Sequence, residues 1–162
     1  MRIQQGRHNL IEIERKFLVA VDGWPSAQRQ IRIRQGYMVN DQGMVVRVRQ
    51  KDEAYYLSLK ARINLSSSYD FEYAIPAAEA EIMFEHLCGG RVISKTRHEV
   101  MHAGMRWEVD QFHGENQGLV VAEIELPEEH YHLELPDWVK DEVTSDIRYR
   151  NSALVLTPYS QW

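Results

Sequence analysis

The sequence predicts a mainly β domain of the α+β class, with seven or eight antiparallel strands closed into a tunnel-like barrel and about three flanking helices. Three observations lead there. Doublets of like charge recur at i and i+2 in strand-like segments: acidic at Glu12/Glu14, Asp70/Glu72, Glu108/Asp110 and Glu123/Glu125, basic at Arg32/Arg34, Arg47/Arg49, Lys60/Arg62 and Lys95/Arg97. Strand side chains alternate between faces, so each doublet aims two charges at one side of a sheet. The intervening and flanking residues are mostly apolar or aromatic, which makes the opposite face a packing face. Short clusters of Gly, Asn, Asp and Ser punctuate the segments at hairpin spacing. A charged strand face is ordinarily a solvated one, with cross-strand ion pairs worth little. Repeated like-charge doublets repel along their own strand, however, and a wet face would mix in Thr, Ser and Gln. Closing the sheet resolves this, because the charged faces then line an interior while the apolar faces turn outward beneath helices.

The elements follow in order. Leu10 to Val19 reads as a strand with Glu12, Glu14 and Lys16 on one face and Ile11, Ile13, Arg15 and Phe17 on the other. Asp22 to Ser26 breaks it, a short helical turn is expected over Ser26 to Gln30, and a second strand begins near Arg32. The turn clusters Asn40 to Gly43 and Asp52 to Ala54 delimit a meander with strands from Met44 and from Tyr55, and Pro76 ends a further strand that starts at Tyr69. Residues 77–88 carry helix formers with Ile82, Met83, Leu87 and Cys88 at helical spacing, and Gly89-Gly90 stops them. Strands resume at Val92, Met105 and Leu119, and Pro127 closes the last. A helix is expected over 129–135 and another over about 145–155, with Thr144 or Ser145 as N-cap and Asp146 in its first turn. Residues 1–9 read as a leader, and 10–162 as one domain that includes a C-terminal closing helix.

Composition narrows the function. A chain of 162 residues, 44% hydrophobic and 27% charged, is long enough for one domain with a real core. A formal net charge of -5 argues against a nucleic-acid binder working by bulk electrostatics, so any anion site is a local basic cluster. No apolar stretch suits a membrane span or a signal peptide, and the single cysteine, Cys88, fits a reducing compartment; the expectation is a cytoplasmic protein. Basic doublets facing a tunnel suit phosphate oxygens. Acidic doublets would repel phosphate, but they suit Mg²⁺ or Mn²⁺, hard cations that bridge carboxylates to phosphates. A metal-polyphosphate complex between a carboxylate wall and a basic wall accounts for both signs.

Ile11 to Val19 resembles the N-terminal Glu-x-Glu-x-Lys signature of the CYTH superfamily, the triphosphate tunnel metalloenzymes. Gln35-Gly-Tyr, Val46-Arg-Val-Arg, Leu57-Ser-Leu-Lys, Phe71 to Pro76, Lys95-Thr-Arg, Trp107 to Phe112, Ala122 to Leu126, Glu142-Val-Thr and Arg148 to Asn151 follow in the family's order. The likeness is to the short bacterial members associated with inorganic triphosphate hydrolysis. It implies an eight-stranded antiparallel tunnel using Mg²⁺ or Mn²⁺. It also implies Glu12, Glu14, Glu123, Glu125 and Asp110 as metal ligands, and Lys16, Arg47, Arg49, Lys60, Arg97 and Arg148 as substrate contacts; Arg34, from the doublet on the second strand, joins the substrate contacts if that strand turns it inward. Lys95, with Tyr37, is the candidate for activating water or clamping substrate. Asp70 and Ser68 depart from the pattern, standing where a glutamate and an arginine are expected. The implied partner is a triphosphate-containing small molecule, without nucleic acid or membrane, and a homodimer is left open. Class IV adenylyl cyclase, thiamine triphosphatase and a non-catalytic polyphosphate-binding module are the alternatives. His98, His102, His130 and His132 read as surface residues, and Trp24, Trp107, Trp138 and Trp162 as packing residues.

Overall fold

A computed structural model describes residues 11–162; the leader expected at 1–9 lies outside the described residues. Eight antiparallel strands close into a barrel: β1 (Ile11–Val19), β2 (Arg29–Asp41), β3 (Met44–Lys51), β4 (Ala54–Arg62), β5 (Ser67–Ala74), β6 (Val92–His102), β7 (Met105–Phe112) and β8 (Val120–Glu125). They run β5-β4-β3-β2-β6-β7-β8-β1, and β1 returns to β5 through Ile11↔Tyr69, Glu12↔Ser68 and Ile13↔Ser67. A short β9 (Val139–Glu142) sits beside the far half of β1. Hairpin turns join most neighbours. At Gln42-Gly43 both residues have positive φ, 45° and 85°, the primed turn whose twist matches the flanking strands.

Three apolar clusters hold the barrel. Outside β1 and β6–β8, Phe17, Val100, Trp107, Val109 and Ile124 pack beneath Trp24, Tyr131, Leu133 and Trp138. Outside β3, Val48 meets Ala80 and Phe84 of α1 (Ala77–His86) and Cys88 just after it. Gly36 makes that approach possible, because a Cβ there would lie 2.4 Å from Cys88 Sγ. The third cluster is on the inward face: Tyr37, Ile93, Phe112, Leu119 and Val121 receive Leu154 of α2 (Asn151–Leu154), with Tyr149 and Val155 beside it. The C-terminal segment thereby plugs one end of the barrel.

Several local expectations are corrected. Residues 129–135 form no helix, because Tyr131 and Leu133, two residues apart, both pack on the outer core, and extended chain alone presents that spacing. The helix expected over 145–155 is split into a 3-10 turn, Ile147–Tyr149, and α2, with Arg150 between them in extended geometry (φ -73°, ψ 137°). Asp146 caps the 3-10 turn instead of lying in a first α-turn, accepting a hydrogen bond from the Arg148 amide at 3.0 Å. Ser26 to Gln30 makes no helical turn, since β2 already begins at Arg29. His98 is buried on the outward face of β6, its ring 5.1 Å from that of Trp24. Among the described residues no helix is long and apolar enough to cross a membrane.

Candidate active site

The inward-facing charges divide the barrel into two halves. On β4, β3, β2 and β6, which are contiguous, the inward polar side chains include Lys60, Arg47, Arg49, Gln35, Tyr37, Lys95 and Arg97, with Ser58 between. On β7, β8, β1 and β5 they are Glu108, Asp110, Glu123, Glu125, Glu12, Glu14, Asp70 and Glu72. Lys16 and Arg106 are the cations of the acidic half. This segregation is a direct product of strand period and closure, since each doublet occupies two successive inward positions of one strand.

Between the halves lies a cavity of about 910 Å³, lined among others by Glu12, Glu14, Lys16, Tyr37, Arg47, Arg49, Lys60, Arg97, Glu123 and Glu125. Its charges interlock across the interior. The Lys60 ammonium sits 3.1 Å from Glu12 Oε2 and 2.9 Å from Glu14 Oε1. Lys16 Nζ is 2.6 Å from Glu123 and donates to the Tyr149 carbonyl at 3.3 Å, joining the acidic half to the plug. Arg49 donates to Glu72 at 3.1 Å and to the Gln35 side-chain oxygen at 3.3 Å, while Gln35 donates to the Tyr37 hydroxyl at 2.7 Å. Arg47 reaches Ser58 and, at 3.4 Å, Asp70. Arg97 bonds Glu108, Glu123 and both oxygens of Asp110.

Protonation follows these contacts. Burial pushes the Glu123 carboxyl up, but Lys16, Lys95 and Arg97 outweigh it and hold the group well below the usual carboxylate range. Burial likewise opposes ionisation of Glu14, where Lys60 is the largest counterweight and the net direction is down. Glu12 goes the other way: burial, helped by Asp70 and Glu14, exceeds the pull of Lys60. Burial raises the Tyr37 hydroxyl against Arg47 and Arg49. Lys95 is pulled down to about 8, by burial first and by Arg97, with Asp110 resisting.

Four residues of the sequence-based set stand elsewhere. Arg34 projects outward, ion-paired with Glu81 of α1 and 3.9 Å from the Phe84 ring centroid. It shares parity with Arg32, and Gln35 and Tyr37 take the inward positions of β2. Arg148 is paired with Asp146 at 2.6 Å and stacked near Trp162 on the exterior. Lys95 is 2% exposed and its ammonium is committed to Asp110, so it lies behind the cavity wall. Asp110, 0% exposed, is the counter-ion of Lys95 and Arg97 and has no free oxygen directed at the cavity. Sequence reasoning missed Lys51, Arg106 and Arg150 and left Arg62 of the Lys60/Arg62 doublet out of the substrate contacts; all four line the cavity. Strand parity alone could have found Lys51 and Arg106, two positions beyond Arg49 and Glu108.

Two carboxylates already share one cation in the form of the Lys60 ammonium, and their oxygens are hard donors. Among the described residues no three His, Cys, Asp or Glu side chains converge on one point. That donor set fits a small divalent cation which uses one or two carboxylates and takes its remaining ligands from water and phosphate.

The CYTH domain model matches residues 10–154. An inorganic triphosphatase of Acetivibrio thermocellus is 45% identical over 151 residues, covering 93% of this chain and 97% of that one. An inorganic triphosphatase of Nitrosomonas europaea is 33% identical over 153 residues, covering 91% and 99%. A crystal structure of an inorganic triphosphatase superposes with a TM-score of 0.67 at 33% identity, covering 90% of this chain and 94% of that one.

Proposed function

The chain belongs to the CYTH domain family, and from that membership together with its divided cavity we propose that it is a metal-dependent inorganic triphosphatase. The observation that carries the reading is the segregation of the barrel interior into a cationic half and a carboxylate half around one cavity. A linear triphosphate is a compact polyanion, and Arg47, Arg49, Lys60 and Arg97 offer it forked guanidinium donors and a point charge. Lys16 adds a cation from the opposite side. Glu12 and Glu14, with Glu125 on the adjacent strand, would hold Mg²⁺ or Mn²⁺. Bound there, the ion would supply charge neutralisation to the phosphates and a water of lowered pKa.

In the reaction a water oxygen attacks a terminal phosphorus, a bridging P–O bond breaks, and orthophosphate and pyrophosphate leave while a proton passes to solvent. Catalysis of this kind is mainly positioning and electrostatic stabilisation. Arg97 holds its pose through Asp110, which is itself fixed by Lys95, so its guanidinium stays anchored when phosphate takes the place of Glu108 or Glu123 on its outer nitrogens. The Lys95 ammonium is committed to Asp110 behind the cavity wall, and Lys95 therefore acts as a buried counter-charge in this proposal and not as the base. Tyr37 orients Gln35 and through it Arg49. Cytoplasmic location and a triphosphate-containing partner belong to the same reading.

Purified protein is to be given tripolyphosphate, ATP, thiamine triphosphate and pyrophosphate with Mg²⁺ or Mn²⁺, following phosphate release and cyclic AMP. Tripolyphosphate is expected to give orthophosphate and pyrophosphate and to be the preferred substrate. Formation of cyclic AMP with tripolyphosphate inert would overturn the proposal.

A further inference from the structure

Most cations of the cavity are neutralised by a carboxylate: Lys16 by Glu123, Lys60 by Glu12 and Glu14, Arg47 by Asp70, Arg49 and Lys51 by Glu72. Arg62 and Arg150 differ. Both line the cavity at its plugged end, and among the described residues neither has a carboxylate partner. Residues 1–10 contain no Asp or Glu to supply one. Arg62 spends Nη1 on the carbonyls of Asn64 and Leu65, at 3.3 and 3.0 Å, which fixes the guanidinium and leaves Nε and Nη2 available. Arg150 is held by its backbone, whose carbonyl accepts from Ala153 and Leu154 at the start of α2. The β2–β3 hairpin joins the two: the Arg62 amide donates to the Gly43 carbonyl at 3.0 Å, and Asn40 of the same hairpin donates to the Ser152 carbonyl, two residues past Arg150.

Two guanidinium groups on one cavity wall, neither with a carboxylate partner among the described residues, suit an anion. Asn151 lies beside Arg150 on the cavity wall. Asn40 holds α2 in place through the Ser152 carbonyl at 2.7 Å. Arg62 lies two residues beyond Lys60 on the inward face of β4, about 7 Å further along the strand. The row of cations that begins in the central cluster therefore continues to this end. The residues lining it include Asn40, Gly43, Val45 and Ser152.

We propose that Arg62 and Arg150 form a second anion subsite, which takes the phosphate of a linear inorganic polyphosphate beyond the three held by the central cluster, so that the cavity discriminates by chain length. The inference rests on the triphosphatase reading, because it extends the same substrate along the same cavity. Its test is calorimetric titration of the full chain with inorganic tripolyphosphate and inorganic tetraphosphate, without added metal, for wild type, Arg62→Gln, Arg150→Gln, the double variant and Arg150→Lys. Wild type is expected to bind tetraphosphate about tenfold more tightly than tripolyphosphate. The double variant is expected to lose that ratio, and Arg150→Lys to keep most of it. A wild-type ratio near one, or a ratio unchanged in the double variant, overturns the subsite. Thermal melts identify any variant that fails to fold, and Arg62→Gln alone then carries the comparison. Turnover of tripolyphosphate by wild type with Mg²⁺ or Mn²⁺ tests the triphosphatase reading separately, since binding ratios are read without turnover.

Discussion

The guanidinium of Arg97 grips the carboxylate of Asp110 with two parallel hydrogen bonds, Nε to Oδ1 and Nη2 to Oδ2, both 2.8 Å. Lys95 closes on the same carboxylate from behind. Removing Asp110 leaves two buried cations without their counter-charge. Asp110→Ala is expected to cost about 3–5 kcal/mol in urea unfolding. A second change, Lys95→Met, should recover part of that loss, and no recovery would mean that the deficit is not electrostatic.

Lys60 occupies the space between Glu12 and Glu14. Lys60→Met would leave both carboxylates without their main counter-ion. The expected result is a larger rise in melting temperature on adding Mg²⁺ or Mn²⁺ than wild type shows, together with a fall of about tenfold or more in kcat/KM for tripolyphosphate. An equal or smaller metal-dependent rise would exclude this carboxylate pair as the cation's seat.

Arg34 and Arg49 make a matched contrast. Arg34 faces α1 and Arg49 faces the cavity. Arg34→Ala should leave kcat/KM within about twofold of wild type, whereas Arg49→Ala should lower it at least tenfold. Similar losses in the two variants would contradict the assignment of faces on β2 and β3.

Acid sensitivity should trace to Glu123. Its folded-state pKa lies well below the usual carboxylate range, so its stabilising contribution is present above about 4.5 and is lost as pH falls below it toward the folded value. Melting temperature should drop between pH 5 and 3. Glu123→Gln should be less stable at pH 7 and show a shallower acid decline, and a decline as steep as wild type would assign the acid lability to other carboxylates.

Gly36→Ala tests how tightly α1 docks. The added Cβ would meet Cys88 Sγ at 2.4 Å and Phe84 Cδ1 at 3.0 Å, and overpacking of this kind costs about 1–3 kcal/mol. Pairing it with Cys88→Ala should reduce the penalty relative to Gly36→Ala alone, as read by urea midpoint.

What the sequence revealed and what it hid have a common physical basis. Glu12/Glu14, Arg47/Arg49 and Glu123/Glu125 were legible because period-2 alternation is local, and closure follows from the sign pattern. The direction of Arg34 was not, since it depends on which face of β2 enters the barrel, and Gln35 and Tyr37 decide that without carrying charge. Burial of Lys95 and Asp110 depends on a partner strand, β6 against β7, that fills the interior at that level. The C-terminal helix broke at Arg150 because Leu154 and Tyr149 must both enter the inner cluster, a tertiary demand that overrides local propensity.

Strand β1 pairs with β8, more than a hundred residues away, and meets β5 through only three residue pairs. The other neighbours in the barrel, apart from β2 with β6, are hairpins that assemble from adjacent sequence. β1 is therefore the expensive strand to seat, in loop-closure entropy, and contacts of such sequence separation slow folding. It also carries Glu12, Glu14 and Lys16. The strand whose docking completes the barrel is the one that completes the cavity, so an unfinished chain has no assembled site, and turnover reports the closed barrel.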